Sequence, residues 1–264
     1  MHKAPKLTKS RFLSPIALFV YNRPEHTKKT VDALLNNREA IDSDIFIFSD
    51  AARDDSDNEK VSLVRTYIAS VKGFKTVSVI ERKTNIGLAN SIIDGVTKLC
   101  DEHGKVIVLE DDLEVSPYLL KYMNDGLDLY GANEKISSIS GYVYPISLPI
   151  IEDTFFTQSP QSWGWATWKK AWDLFDSDGE ALLSRINNAE LTKSFDKHGA
   201  YSFVKMLKDQ IDGKNNSWLI RWYASCFLER KLTLMPAKSL VKNIGIDGTG
   251  EHCTNWKYDP FMGE

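Results

Sequence analysis

Apolar runs recur along the first part of the chain at intervals of about 30 residues, starting near positions 16, 44, 76 and 105. Residues 16–21, 44–49, 76–81 and 105–109 are short and rich in Val, Ile and Phe, the mark of strands. Between them lie helical patterns. Residues 24–36 open on Pro24 and carry Val31, Leu34 and Leu35 on one face. A second helix is predicted over 59–71, after a polar loop at 50–58. A third opens at Asn85-Ile86-Gly87 and runs to about 100, with Leu88, Ile92, Val96 and Leu99 as its stripe. A period of this length is that of a βαβ unit, which predicts a parallel sheet with right-handed crossovers.

After position 112 the rhythm fades. Ser116 and Pro117 suit the start of a helix reaching about 130, and 136–141 reads as a fifth strand. Residues 161–172 hold Trp165, Trp168 and Trp172 at spacings of three and four, which predicts a shared helix face. In Trp163-Gly164-Trp165 the glycine lets backbone and ring approach a ligand closely. Polar helical segments fill roughly 180–212. An aromatic-rich helix with Arg221 spans 217–229. Short strands follow at 232–235 and 240–243, then a glycine-rich tail with Asp247 and His252. No repeat, low-complexity linker or clear boundary breaks the chain. The reading is an α/β fold with a mostly parallel central sheet flanked by helices: a basic, flexible 1–14, then one domain over 15–264.

In a parallel sheet the carboxyl ends of the strands share one edge, and ligands bind there. That edge collects Asn22 and Arg23, Ser49 and Asp50, Arg82 and Asn85, and Glu110-Asp111-Asp112. The run Val106-Ile107-Val108-Leu109 is continuous, as in a strand buried on both faces. It stops at three carboxylates that repel one another. A hard cation with oxygen ligands would offset that repulsion; an acidic turn capping a helix is the plainer alternative. Arg23 beside such a cluster suits a phosphorylated ligand. Neither a dinucleotide fingerprint nor a P-loop is present, and Asn85-Ile86-Gly87-Leu88 is either an anion-facing helix start or an ordinary one.

Composition narrows the field. Lys plus Arg is 33 and Asp plus Glu 36, a net charge of −3, so there is no basic footprint for nucleic acid. Cys100, Cys226 and Cys253 are odd in number and far apart, which fits neither a zinc site nor a disulfide framework and suits a reducing compartment. No segment approaches the ~20 apolar residues of a membrane span. The expectation is a cytoplasmic protein, with peripheral contact at the inner face of a membrane through the basic N-terminus left open. Seven tryptophans can line a carbohydrate cleft or simply pack a core.

Glu110-Asp111-Asp112-Leu113-Glu114-Val115-Ser116-Pro117 resembles the metal-binding segment of the N-acetylglucosaminyltransferase I family, glycosyltransferases of the GT-A fold. Asn22-Arg23 resembles that family's Asn-Arg pair, Ser49-Asp50 its uracil-reading Asp, and Trp163-Gly164-Trp165 with Trp172 its glycine–tryptophan loop near the sugar. The resemblance covers about 15–175. Ser-Trp-Gly-Trp-Ala-Thr-Trp, with Asn-Ile-Gly and the late Gly-x-x-His-Cys, is also similar to bacterial sugar transferases of polysaccharide loci.

The resemblance implies a nucleotide-sugar-binding half over 15–141 and an acceptor-binding half over 142–264. It implies Mn²⁺ or Mg²⁺ held by Asp112 and His252, with Arg23, Asp50, Asn85, Glu110, Asp111 and Arg221 on a UDP-linked donor, Trp163, Gly164 and Trp165 near the sugar or acceptor, and transfer to a glycan or lipid-linked acceptor with inversion. The family's base follows a tryptophan, but Ser217-Trp218-Leu219-Ile220-Arg221-Trp222 holds no acid, and Asp247 stands in as the candidate base. Two other readings remain. A sugar-nucleotidyltransferase also sets acids beside a parallel sheet, and a nucleotide-sugar or glycan-binding module would need no base.

Overall fold

In a computed structural model, which describes residues 12–145 and 152–247, the four apolar runs are four parallel strands joined by helices. These are β1 (Ile16–Val20), α1 (Pro24–Leu35), β2 (Asp44–Ser49), α2 (Asn58–Ala69), β3 (Thr76–Glu81), α3 (Gly87–His103) and β4 (Lys105–Glu110). Every residue of β1 is buried, as are the four central residues of β4. β3, at the edge of the sheet, has no fully buried residue. Each helix turns its apolar stripe inward; α3, for example, buries Ala89, Ile92, Val96 and Leu99.

The chain continues through β5 (Leu113–Val115), α4 (Leu119–Tyr130), β6 (Ile136–Ser140), β7 (Thr154–Thr157), β8 (Trp165–Trp168), α5 (Lys169–Trp172), α6 (Gly179–Asn188), α7 (Thr192–Phe195), α8 (Phe203–Ile211), α9 (Trp218–Leu228), β9 (Leu232–Pro236) and β10 (Val241–Asn243). The main sheet has eight strands in the order β3-β2-β1-β4-β8-β6-β9-β7. β8 runs antiparallel to both β4 and β6, and β7 antiparallel to β9; the other pairings are parallel. The result is an α/β fold with a mostly parallel central sheet flanked by helices.

Two expectations give way here. The segment 165–168 is a strand, not a helix. It lies between β4 and β6 and is covered on both faces, so apolar residues fall on both parities and imitate a helical spacing. Ser116 does not cap α4. That helix begins two residues beyond Pro117, and Ser116 Oγ accepts from the Tyr118 amide at 3.3 Å. β5 and β7 are strands that the sequence does not mark, and β10, expected at 240–243, pairs antiparallel with β5. The β5–β10 pair matters most, because it brings the end of the described chain back against the acidic turn.

The sheet core draws on both sides of position 141, from Ile16 to Val241. A second apolar cluster joins Leu182, Ile186, Phe195, Leu207, Ile220, Tyr223, Ala224 and Phe227 within α6–α9. Helix α9 serves both cores, giving Trp218, Trp222 and Cys226 to the sheet and Ile220, Tyr223 and Phe227 to the helical cluster. No helix among the described residues is long and apolar enough to cross a membrane. Cys100 and Cys226 are free and buried, and burial pushes both thiols up to about 12; Cys253 lies outside the described residues.

Candidate functional site

β4 ends in Glu110, and the turn Asp111-Asp112 leads into β5. One side chain stands between the two aspartates. Arg23, from the loop after β1, donates through Nη2 to Asp111 Oδ1 and to Asp112 Oδ2, the latter at 3.0 Å. Among the described residues it is the cation paired with either acid. The Tyr21 amide adds a bond to Asp111 Oδ2 at 3.3 Å. The repulsion legible in the sequence is thus offset by a guanidinium from the neighbouring strand end.

These groups are poorly solvated. The side chains of Arg23, Asp111 and Asp112 are 18%, 5% and 12% exposed. Burial is the first cause of the shifts here. It pushes Asp111 up to about 6 against the pull of Arg23, and Glu110, with Asp112 and Asp111 beside it, up to about 8. Arg23 is raised, its two carboxylates outweighing its desolvation. Glu110 makes no side-chain hydrogen bond among the described residues.

The backbone of the acidic turn is pinned from two sides. Thr30 of α1 donates to the Asp111 carbonyl at 2.8 Å and accepts from the Leu113 amide at 3.2 Å. From the other side the Ile244 amide donates to the Asp112 carbonyl at 2.8 Å. Gly245 then lies directly on the ion pair. A Cβ there would fall 2.3 Å from Asp112 Oδ2 and 2.9 Å from Arg23 Nη1, so only glycine fits. His26, one turn beyond Arg23 on α1, sets Nε2 3.2 Å from the Ile244 carbonyl and 3.1 Å from Asp247 Oδ2. Asp247 therefore meets the site through His26, which the sequence reading did not single out.

Asp50 is drawn elsewhere. Its carboxylate accepts from Ala51 N at 2.9 Å, Ile86 N at 3.1 and 3.2 Å, and Gly87 N at 2.9 Å. It caps α3 from another strand end, and those donors occupy most of the oxygens that a base ring would need. Asn85 ties the same loop down, donating to the Ala51 carbonyl at 2.7 Å. Asn22 and Tyr21 both donate to Asp57, at 2.6 and 2.5 Å.

The second-half residues divide. Trp165 is 1% exposed and stacks on Trp218 at 5.1 Å, so it is core and not a sugar contact. Gly164 takes φ +61°, with its carbonyl accepting from Gly141 N at 2.7 Å. Trp163 is half-buried against Tyr142 at 4.5 Å. Arg221 is buried, with Nε and Nη1 on the Ser217 and Ser177 carbonyls and its guanidinium over Phe175. These partners are not part of the acidic edge, which corrects its placement on the donor. His252 lies outside the described residues.

No group of three or more His, Cys, Asp or Glu forms a metal-binding arrangement among the described residues. Mg²⁺-type ions need less, since they use one or two carboxylates, keep waters and take phosphate oxygens from the substrate. Asp112, with Asp111 beside it, supplies that donor chemistry.

No protein-family model matches the sequence, and no curated protein matches it. Solved structures align with it at low identity. A structure of TarS from S. aureus aligns with a TM-score of 0.33 and 12% identity, over 47% of this chain and 21% of that one. A structure assigned to the nucleotide-diphospho-sugar transferases, from Desulfovibrio desulfuricans G20, aligns with a TM-score of 0.38 and 12% identity, over 80% and 99%. UDP-glucose pyrophosphorylase complexed with UDP-glucose aligns with a TM-score of 0.41 and 13% identity, over 87% and 92%.

Proposed function

We propose that the protein is a GT-A-type glycosyltransferase that moves a sugar from a nucleotide diphosphate, UDP in the first instance, to a hydroxyl of a glycan or lipid-linked acceptor. The observation that carries this reading is the pairing of Arg23 with Asp111 and Asp112 at the carboxyl edge of a parallel sheet. A guanidinium and a carboxylate cluster on one edge match the two needs of a diphosphate: charge-assisted hydrogen bonds and a site for a divalent cation.

Asp112, helped by Asp111, would hold Mn²⁺ or Mg²⁺. When bound, such a cation supplies charge neutralisation for the departing diphosphate. Arg23 would turn from the carboxylates toward the phosphate oxygens. Glu110, protonated at neutral pH by virtue of its raised value, would limit the negative charge facing the donor. Trp163 and Gly164 would border the sugar. Asp50 and Asn85 would act one step back, by fixing the loop after β2 against α3.

A panel of nucleotide-diphosphate sugars, screened by thermal shift with and without Mn²⁺ and then by nucleotide diphosphate release, tests this. Asp112→Ala should lose donor-dependent stabilisation and turnover while melting as a folded protein. Turnover near wild type in that variant removes the core of the reading. Diphosphate release from a nucleoside triphosphate plus a sugar phosphate would identify a nucleotidyltransferase, and donor binding with no turnover a binding module.

A further inference from the structure

We propose that His26 is the general base of this transfer and that Asp247 positions it; the inference rests on the transferase reading above. Two oxygens face one ring nitrogen, the Ile244 carbonyl at 3.2 Å and Asp247 Oδ2 at 3.1 Å from Nε2. Both are acceptors, so they assign the hydrogen to Nε2 and leave the lone pair on Nδ1. Nδ1 takes no hydrogen bond among the described residues. The His26 side chain is 14% exposed and that of Asp247 46%, so the pair is held and still open to solvent. A base oriented by a carboxylate on its far nitrogen is the arrangement that activates hydroxyl nucleophiles.

The dyad belongs to the same small region as the acids. Ile244, whose carbonyl meets His26, donates its amide to Asp112, and Gly245 lies against Asp112 and Arg23. The other carboxylates there are less suited. Asp111 is taken up by Arg23 and the Tyr21 amide, and Asp50 by the amides of α3. Glu110 makes no side-chain hydrogen bond among the described residues that would orient it.

In the step, Nδ1 removes the acceptor hydroxyl proton as that oxygen bonds the anomeric carbon. The bond from this carbon to the diphosphate oxygen breaks, and its electron pair leaves on the nucleotide diphosphate. Asp247 stabilises the imidazolium, which later returns its proton to solvent.

The test uses the full chain, Mn²⁺ and the panel of nucleotide-diphosphate sugars, with release of nucleotide diphosphate to water or acceptor as readout. His26→Gln and His26→Ala should lower kcat by about 100-fold or more, the range expected for a general base. Donor affinity by calorimetry should stay within about threefold. Free imidazole should restore part of the rate in His26→Ala. Asp247→Asn should lower kcat by about tenfold at unchanged donor KM, without response to imidazole. Turnover in His26→Gln within about fivefold of wild type overturns the proposal. So does a rate loss that tracks lost donor affinity and is not rescued, since His26 would then only anchor residues 244–247. No release by the wild type from any donor overturns the transferase reading itself, and this proposal with it.

Discussion

Replacing Arg23 with Met should destabilise the protein in a manner set by pH. The variant keeps an apolar stem and removes the cation between Asp111 and Asp112. Breaking a buried pair by deleting one partner costs ~3–5 kcal/mol, and the partial exposure of Arg23 brings the expected loss to about 2–4 kcal/mol. At roughly 2–4 °C for each kcal/mol in a chain of this size, the melting temperature should fall by about 4–16 °C at pH 8. The sign with pH follows from the acids. Asp111 and Glu110 titrate at about 6 and about 8 in the fold, above their ordinary range, so the folded state holds protons that the unfolded chain has lost. Stability therefore falls as pH rises through that window. Arg23 opposes the fall; without it the fall steepens. The gap between variant and wild type should be small near pH 4.5 and complete above pH 8. Mn²⁺ should restore the variant more than the wild type, since the freed carboxylates gain a cation. Thermal melts across pH, with and without Mn²⁺, read all of this. A gap under about 2 °C at pH 8, or one that ignores pH, would show that Arg23 is not what offsets the acids.

Glu110→Gln tests the same cluster from the other side: its melting temperature should exceed the wild type's above pH 8 by an amount worth about 1–3 kcal/mol and match it near pH 4.5. Gly245→Ala crowds Asp112 Oδ2 and Arg23 Nη1; residues 243–247 should shift at a cost of ~1–3 kcal/mol, read as a melting temperature lower by about 2–12 °C and at least about tenfold weaker Mn²⁺-dependent donor binding. Trp165→Ala should cost ~3–5 kcal/mol by chemical denaturation and leave donor affinity unchanged, because its ring packs on Trp218; a stable variant with weak donor binding would return it to the site.

The parallel half was legible because its strands are buried on both faces and its helices on one, so period and length separate them. β8 was obscured by that same two-sided burial. The acidic turn announced a need for positive charge, but not its source. Arg23 is 88 positions away in sequence, and a metal and an arginine answer the same repulsion. A usable signal did lie within α1 and its entry. Arg23, His26, Thr27 and Thr30 follow helical spacing. His26 and Thr30 reach Ile244, Asp247 and Asp111, while Thr27 closes back on the Arg23 carbonyl. Reading that stripe as a polar face turned toward the strand ends would have found His26. Asp50 misled for a different reason: an acid at a strand end can face a ligand or the amides of the next helix, and only the placement of α3 decides.

Metal removal should weaken donor binding sharply, and the charge at the edge gives the scale. Near pH 7, Glu110 holds its proton while Asp111, titrating at about 6, is mostly ionised. With two aspartates facing the one guanidinium of Arg23, the edge carries a net charge of about −1. A diphosphate approaching it is repelled by about 2–3 kcal/mol for each pair of unit charges at ~6 Å and an effective dielectric near 20. A divalent cation reverses the sign of the edge, and repulsion becomes attraction of similar size. Chelation should therefore lower donor affinity by roughly a hundredfold or more, measured by calorimetry against a nucleotide-diphosphate sugar, and ionic strength should soften the effect. If affinity is unmoved by chelation, Arg23 alone serves the diphosphate, and Asp111 and Asp112 exist to hold that guanidinium in place.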